Sequence, residues 1–157
     1  ISKTNVKIVS TRKTTPNLRV FEKNAVKDGG GVNHRFGLYD GILIKDNHLA
    51  IAGSIKEAVS KARLNSGHMV NVEIEVDNLS QYKDALETSA DAILLDNFSL
   101  EDLKTAVSIK KNNVTLEASG KITKDSISAI AETGVDLISS GWLTHSSPAL
   151  DIGLDFK

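Results

Sequence analysis

The sequence predicts an α/β fold of repeated strand–helix units whose parallel strands curl into an incomplete barrel, and three features carry that expectation. Short β-branched or apolar runs alternate with amphipathic segments along the whole chain. Most of these runs are apolar throughout or nearly so, which is how a parallel strand covered on both faces reads. The later runs also recur evenly: Val70, Ala92 and Val114 stand 22 residues apart, with Asp136 at the next step. A strand, a loop, a helix and a return loop occupy about that many residues, so the period marks βα units joined by right-handed crossovers.

Taken in order, the first expected strand is Val6–Ser10, followed by a helix over Leu18–Asp28 and a flexible turn at Gly29-Gly30-Gly31. The second strand is Gly41–Lys45. Ser54-Ile-Lys-Glu57 is a capping box that opens a helix over Ile55–Asn65, with Gly67 as its stop. A third strand, Val70–Val76, leads to a helix over Asn78–Thr88, and a fourth strand covers Ala92–Leu95. Ser99-Leu-Glu-Asp102 starts a helix that runs to about Lys111. The fifth strand is Val114–Ala118. Thr123 or Asp125 caps a helix over Ser126–Thr133, which Gly134 ends before the last strand, Leu137–Ser139. Repeated βα units either close into a barrel or spread as a doubly wound sheet. Polar residues follow nearly every strand here instead of clustering at one switch point, which favours the barrel. Six strands are fewer than the usual eight. The expectation is therefore an incomplete (open) TIM-like βα barrel, with residues 1–157 forming a single α/β-barrel catalytic domain.

Bulk properties narrow the function classes. A chain of 157 residues buries about 70% of its extended surface, enough for one real core. The formal net charge is −1, so no global field favours nucleic acid or an anionic membrane. With no cysteine, disulfides, thiolate zinc sites and a Cys nucleophile are excluded, and a reducing, cytoplasmic setting is expected. No apolar run approaches the roughly 20 residues of a membrane span. The chain starts at Ile1 and enters a strand-like run within a few residues, so it is expected to be an interior piece of a longer protein. An incomplete barrel exposes an unpaired strand edge, and the intact protein is expected to cover it and to form at least a dimer.

In a βα barrel the residues just after each strand meet on one face. These are Thr11-Arg12-Lys13-Thr14, Lys45-Asp46-Asn47-His48, Glu73-Ile74-Glu75, Asp96-Asn97, Glu117-Ala118-Ser119-Gly120 and Ser139-Ser140-Gly141. Arg12, Lys13 and Lys45, with His34 and Arg35 from the long first connection, suit an anion with more than one carboxylate or phosphate, because Arg offers a planar fork and Lys a compact charge. Glu75 and Asp96, on neighbouring strand ends, suit sugar hydroxyls or a Mg²⁺ on a pyrophosphate. Backbone N–H groups at Ser119-Gly120 and Ser140-Gly141 suit a phosphate. Each motif alone is weak. The glycine run is no dinucleotide fingerprint, since no strand precedes it and the spacing is wrong. His48, His68 and His145 lack metal-ligand spacing.

Longer stretches are more specific. Thr11-Arg-Lys-Thr-Thr-Pro16, Glu22-Lys23, Gly29-Gly-Gly-Val-Asn-His-Arg35, Leu43-Ile-Lys-Asp-Asn-His48, Val72-Glu-Ile-Glu-Val76, Leu95-Asp-Asn97, Glu117-Ala-Ser-Gly120 and Leu143-Thr-His-Ser146 resemble, in order and spacing, the quinolinate phosphoribosyltransferases. The resemblance implies that quinolinate and phosphoribosyl pyrophosphate give nicotinate mononucleotide, pyrophosphate and CO₂ with Mg²⁺. It further implies that Arg12, His34, Arg35 and Lys45 line the quinolinate pocket and that Lys13 meets the phosphoribosyl donor. Glu75 and Asp96 would hold the ribose hydroxyls and the metal. Ser119, Gly120, Ser140 and Gly141, with His145, would bind the 5′-phosphate. The family also has an N-terminal α+β domain, absent here, that closes the partner's active site in a dimer with a further Arg. Two positions depart from the family pattern: Lys121 stands where Gly or Asn is usual, and Trp142 replaces a small residue and would either crowd the phosphate loop or fill the barrel end.

Three rival readings differ in kind. A nicotinate phosphoribosyltransferase would act without decarboxylation, but the cluster of Arg12, His34, Arg35 and Lys45 argues for a diacid. An inactive barrel fragment serving as a binding module is favoured by the missing domain and opposed by the intact strand ends. An aldolase would need a Schiff-base lysine in apolar surroundings, and Lys45 has Asp46 and His48 beside it.

Overall fold

The computed structural model describes residues 4–111 and 113–156. Six strands make one all-parallel sheet: β1 (Lys7–Val9), β2 (Ile42–Ile44), β3 (Val72–Val76), β4 (Ala92–Asp96), β5 (Thr115–Ser119) and β6 (Leu137–Ser139). The helices are α1 (Arg19–Asp28), α2 (Asp46–Ala52), α3 (Ile55–Leu64), α4 (Leu79–Leu86), α5 (Leu100–Ser108), α6 (Ile127–Ala131) and α7 (Trp142–His145). The order across the sheet is β1-β6-β5-β4-β3-β2. Because the first strand pairs with the sixth, the sheet has rolled back on itself, and the barrel stays open at one seam, between β1 and β2. Every expected strand is present; β1, β2 and β3 are each two residues shorter, β4 is one longer, and β5 is shifted by one. From β3 to β6 the starts fall at Val72, Ala92, Thr115 and Leu137, close to the period read from sequence.

Side chains on a strand alternate between faces. Val72, Ile74 and Val76, then Ile93 and Leu95, Leu116 and Ala118, and Ile138 all join one core beneath the helices. The residues between them, Glu75, Leu94, Glu117, Ser119 and Ser139, line the barrel interior. Three helices begin as their sequences require: Ser54 Oγ accepts the Glu57 N–H at 3.1 Å, Asn78 Oδ1 the Gln81 N–H at 3.0 Å, and Ser99 Oγ the Asp102 N–H at 3.1 Å. Tyr82, fully buried, ties α4 to α5 by donating its hydroxyl to the Ala106 carbonyl at 2.9 Å.

Several expectations need correction. Asp46, Asn47 and His48 are the first turn of α2, a helix not anticipated because its N-cap is Lys45. The His48 Nδ1 accepts the Lys45 N–H at 2.9 Å, the job a Glu or Gln does in a capping box. The helix expected from Ser126 starts at Ile127, and Thr123 only forms a turn ahead of it with Ser126. The one-turn α7 was also not anticipated. Gly29–Gly31 is a packed turn, not a flexible one. Gly30 takes φ +83°, and a Cβ on Gly31 would come within 2.8 Å of Val26 Cγ1. The free edge of β1 is partly covered, since the Val32 N–H donates to Ile8 O and the Ser10 N–H to Val32 O.

One device occurs twice at the N-terminal ends of the strands. Asp91 Oδ2 accepts the Val72 N–H at 2.7 Å and pairs with Arg63, and Asp136 Oδ2 accepts the Leu116 N–H at 2.7 Å and pairs with Lys110. Each aspartate precedes one strand and binds an amide at the start of its neighbour, the first of β3 and the second of β5, which is why the turn before β4 and β6 carries an acid. Asp136→Ala leaves the amide of wholly buried Leu116 without a partner and is expected to cost about 1–3 kcal/mol, read as a lower urea midpoint with unchanged slope.

Candidate active site

The C-terminal ends of all six strands open into one cleft of about 260 Å³. Arg12, Lys13, His34, Arg35, Lys45, Glu75 and Ser119, all singled out from sequence, share its walls. The other residues singled out lie beside it. Asp96, the last residue of β4, and Gly120, just after β5, sit at neighbouring strand ends that pack together: the Asn97 N–H donates to Ser119 O at 3.0 Å, Asn97 Nδ2 donates to Asp96 Oδ2 at 2.7 Å, and a Cβ on Gly120 would sit 2.8 Å from the Asn97 nitrogen. Gly141 and His145 adjoin Lys13, because a Cβ on Gly141 would lie 2.8 Å from His145 Nε2 and 3.2 Å from Lys13 Cδ. Thr144 Oγ1 donates to Lys13 O at 2.7 Å, locking α7 to the loop after β1. The Ser140 N–H is committed to Val9 O at 3.1 Å, which leaves its hydroxyl as that residue's donor.

Charge is arranged in two levels. At the mouth, Lys45 Nζ pairs with Glu75 at 2.5 Å, and with Lys45 ion-paired and 44% exposed the setting is not the apolar one a Schiff base requires. Deeper, His34 Nε2 lies 2.7 Å from Glu73 Oε2 and 4.0 Å from Glu117 Oε2. His34 Nδ1 accepts the Arg35 N–H at 2.8 Å, so that nitrogen is unprotonated and Nε2 carries the proton donated to Glu73. The Glu73 carboxylate pushes the His34 pKa up, yet a second proton would have to displace the Arg35 amide. Burial, then the Glu73 charge, push the Glu117 carboxyl up to about 7. The two carboxylates with His34 Nε2 offer three ligand atoms within 4.8 Å of one another. The protein supplies counter-charge of its own there, since Arg35 is electrostatically coupled to both His34 and Glu73.

The cleft has unspent donors. Arg12 Nε and Arg35 Nε are buried, and among the described residues neither has a partner. Buried polar groups are nearly always satisfied, so two orphaned guanidinium nitrogens in a cationic cleft mark where an anion fits. Sequence reasoning passed over Glu73 and Glu117 as single-site candidates. The signal was there: acids at every second position of Val72-Glu-Ile-Glu-Val76 must face one way, into the barrel. Lys121 is exposed on the loop after β5. Trp142, 39% exposed, does not fill the barrel end but lies under Lys124, whose Nζ is 5.3 Å from the ring centroid.

Residues 1–155 match the family described as quinolinate phosphoribosyl transferase, C-terminal domain. A probable carboxylating nicotinate-nucleotide pyrophosphorylase of Bacillus subtilis is 52% identical over 96% of this chain and 52% of its own length. A carboxylating nicotinate-nucleotide pyrophosphorylase of Mycobacterium leprae is 46% identical over 97% of this chain and 54% of its own. The crystal structure of NadC from Streptococcus pyogenes superimposes with a TM-score of 0.90 at 45% identity, covering 94% of this chain and 52% of that one. The chain thus spans about half the length of the relatives it matches.

Between its ordinary value of 4.5 and its folded value of about 7, Glu117 holds a proton in the native state that the unfolded chain has released. That contribution to stability is complete below 4.5 and is lost as pH rises toward 7. Glu117→Gln keeps the shape without the charge, so its stability relative to the parent is expected to grow from pH 5 to pH 8, checked by melting both across that range. A constant offset would contradict the assignment.

Proposed function

The chain belongs to the quinolinate phosphoribosyl transferase family, and we propose that it is the catalytic barrel of an enzyme that transfers a phosphoribosyl group to quinolinate and removes CO₂, giving nicotinate mononucleotide. The observation that carries this is the pair of buried, unpartnered Arg12 and Arg35 nitrogens in one cleft with Lys13 and Lys45. Four cations around so small a space answer a planar diacid, because two adjacent carboxylates take up several charge-assisted donors and fix the ring's orientation.

The ring nitrogen attacks the anomeric carbon while pyrophosphate departs, through a state with oxocarbenium character. Glu75 and Asp96, at the ends of adjacent strands, are the carboxylates that stabilise this positive charge and hold the sugar hydroxyls. Ribosylation makes the ring cationic, and when the carboxylate next to the nitrogen leaves as CO₂ its electron pair stays on the ring carbon, which then takes a proton. The substrate is its own electron sink and no organic cofactor is required. Lys13, Gly141 and His145, drawn together beside the cleft, with Ser119, Gly120 and Ser140, are the groups for the 5′-phosphate.

The carboxylates suit Mg²⁺, a hard ion that takes one or two acids and fills its shell with water and phosphate oxygens. Asp96 is the better placed of the two, since Glu75 would have to leave Lys45. The chemistry such an ion supplies is neutralisation of the departing pyrophosphate. The reading extends to a homodimer whose partner's N-terminal domain completes the site, and to a cytoplasmic location. No helix among the described residues is long and apolar enough to cross a membrane.

Calorimetric titration of the complete polypeptide carrying this chain tests the reading. Quinolinate should bind and nicotinate should bind at least roughly tenfold more weakly, and Arg35→Ala should weaken quinolinate by roughly 10- to 100-fold. Equal affinity for the two acids would overturn the diacid assignment in favour of a non-decarboxylating transferase.

A further inference from the structure

Helix α1 buries only two of its ten residues, Val26 and Lys23, and Lys23 is 2% exposed. A buried ammonium is expensive unless every N–H finds an acceptor. Here all three do: Nζ donates to Ser10 Oγ at 3.0 Å, to the His34 carbonyl at 2.9 Å and to the Arg35 carbonyl at 3.1 Å. The network then closes on itself. Ser10 Oγ donates to Asn33 Oδ1 at 2.9 Å, and Asn33 Nδ2 donates back to the Lys23 carbonyl at 2.9 Å. None of the partners is a carboxylate. Burial, followed by the nearby Arg19, pulls the Lys23 pKa down, and the neighbouring Asp40 is occupied by the amides of Phe36 and Gly37 at 2.6 and 2.8 Å.

A charge held this way adds no ion pair to the fold. Its location explains it better. Lys23 sits at the seam where β1 and β2 do not pair, and its three bonds carry the tie between β1 and the segment that follows Gly31 past the Val32 bridge, to the backbone of His34 and Arg35. That segment has few other anchors: His34 to Glu73 inside the barrel, and Arg35 Nη1 to Gly41 O at 3.3 Å.

We propose that Lys23 is a positioning residue for the anion pocket, holding the backbone of His34 and Arg35 so that their side chains stand in the cleft. The proposal rests on the functional reading above. In that reading His34 and Arg35 serve the pyridine diacid, whereas the phosphoribosyl donor is met by Lys13 and the loops after β5 and β6. The effect of losing Lys23 is therefore selective for one ligand.

The test is Lys23→Met in the complete polypeptide, which keeps the length and removes the donors. Quinolinate affinity is expected to fall roughly tenfold or more, with phosphoribosyl pyrophosphate affinity changed by less than about threefold. Ser10→Ala removes one acceptor and leaves the ammonium, so it should give a smaller loss of the same selectivity. Amide hydrogen exchange provides a readout that needs no ligand: in Lys23→Met the amides of Val32 and Arg35 should exchange roughly tenfold faster while those of β3 to β5 keep their protection. Equal weakening of both ligands with faster exchange throughout would reduce Lys23 to a general stabiliser and overturn the proposal. So would parent-like binding of quinolinate. Should the parent itself bind no quinolinate, the functional reading fails, and the exchange pattern alone still decides whether Lys23 holds this segment.

Discussion

The two-residue period of a parallel strand governs this molecule. One set of alternate residues, led by Val72, Ile74, Ile93, Leu95 and Leu116, must be apolar because helices cover it, and all of these are essentially inaccessible to water. That outer face does the work of stability. The inner face is then free to carry groups that no ordinary core would accept: Glu73 and Glu75 on a strand otherwise of Val and Ile, and Glu117 between buried Leu116 and Ala118. A shift of one residue in register would drive those acids beneath the helices. The aspartates at 91 and 136, which bind amides at the starts of β3 and β5, help fix the register on which the site depends.

The inner face has a price in charge that is met by neighbours. Glu75 is answered by Lys45, and Glu73 by the Nε2 proton of His34. Glu117 has a distant His34 and a hydrogen bond from Ser139, and relieves its burial by holding a proton more tightly. What stays unpartnered is the buried Nε groups of Arg12 and Arg35, together with one buried oxygen each of Glu73 and Glu117. Such a pocket is preorganised for an anion: the donors are fixed before ligand arrives, and their desolvation has already been incurred in folding.

Much of this was legible in the sequence, because strands and caps obey local rules. Apolar runs located all six strands, the last four of them evenly spaced, and Ser54 and Ser99 marked two helix starts by capping chemistry that the structure repeats. What escaped notice was what depends on residues acting out of type. A histidine closes the cap of α2, so no capping box was visible there. The glycines at 29–31 signal freedom in sequence, but Gly31 is required by close packing against Val26 and Gly30 by its positive φ. Lys23 reads as one more solvated charge on an amphipathic helix, and only the fold reveals that its head is buried. Beyond the last βα unit, Leu150, Ile152, Leu154 and Phe156 alternate as a strand would, yet all four are highly exposed.

The seam between β1 and β2 joins these threads. A closed barrel would carry its hydrogen-bonded ladder all the way round, between β1 and β2 as well, leaving the C-terminal face to loops alone. Here the ladder stops, and the chain from Gly31 to Arg35 crosses the opening, first pairing with β1 through Val32 and then turning inward at His34. The break in hydrogen bonding is thus what lets two side chains enter the cleft from a segment that is not a strand. Side chains reaching a site from a loop are ordinarily less well fixed than those on strands. Holding Asn33 to Arg35 from α1 on one side and from Glu73 on the other gives the loop the fixity of a strand, at the cost of one buried ammonium and one buried carboxylate. The opening in the barrel and the buried charges beside it are therefore two parts of a single arrangement.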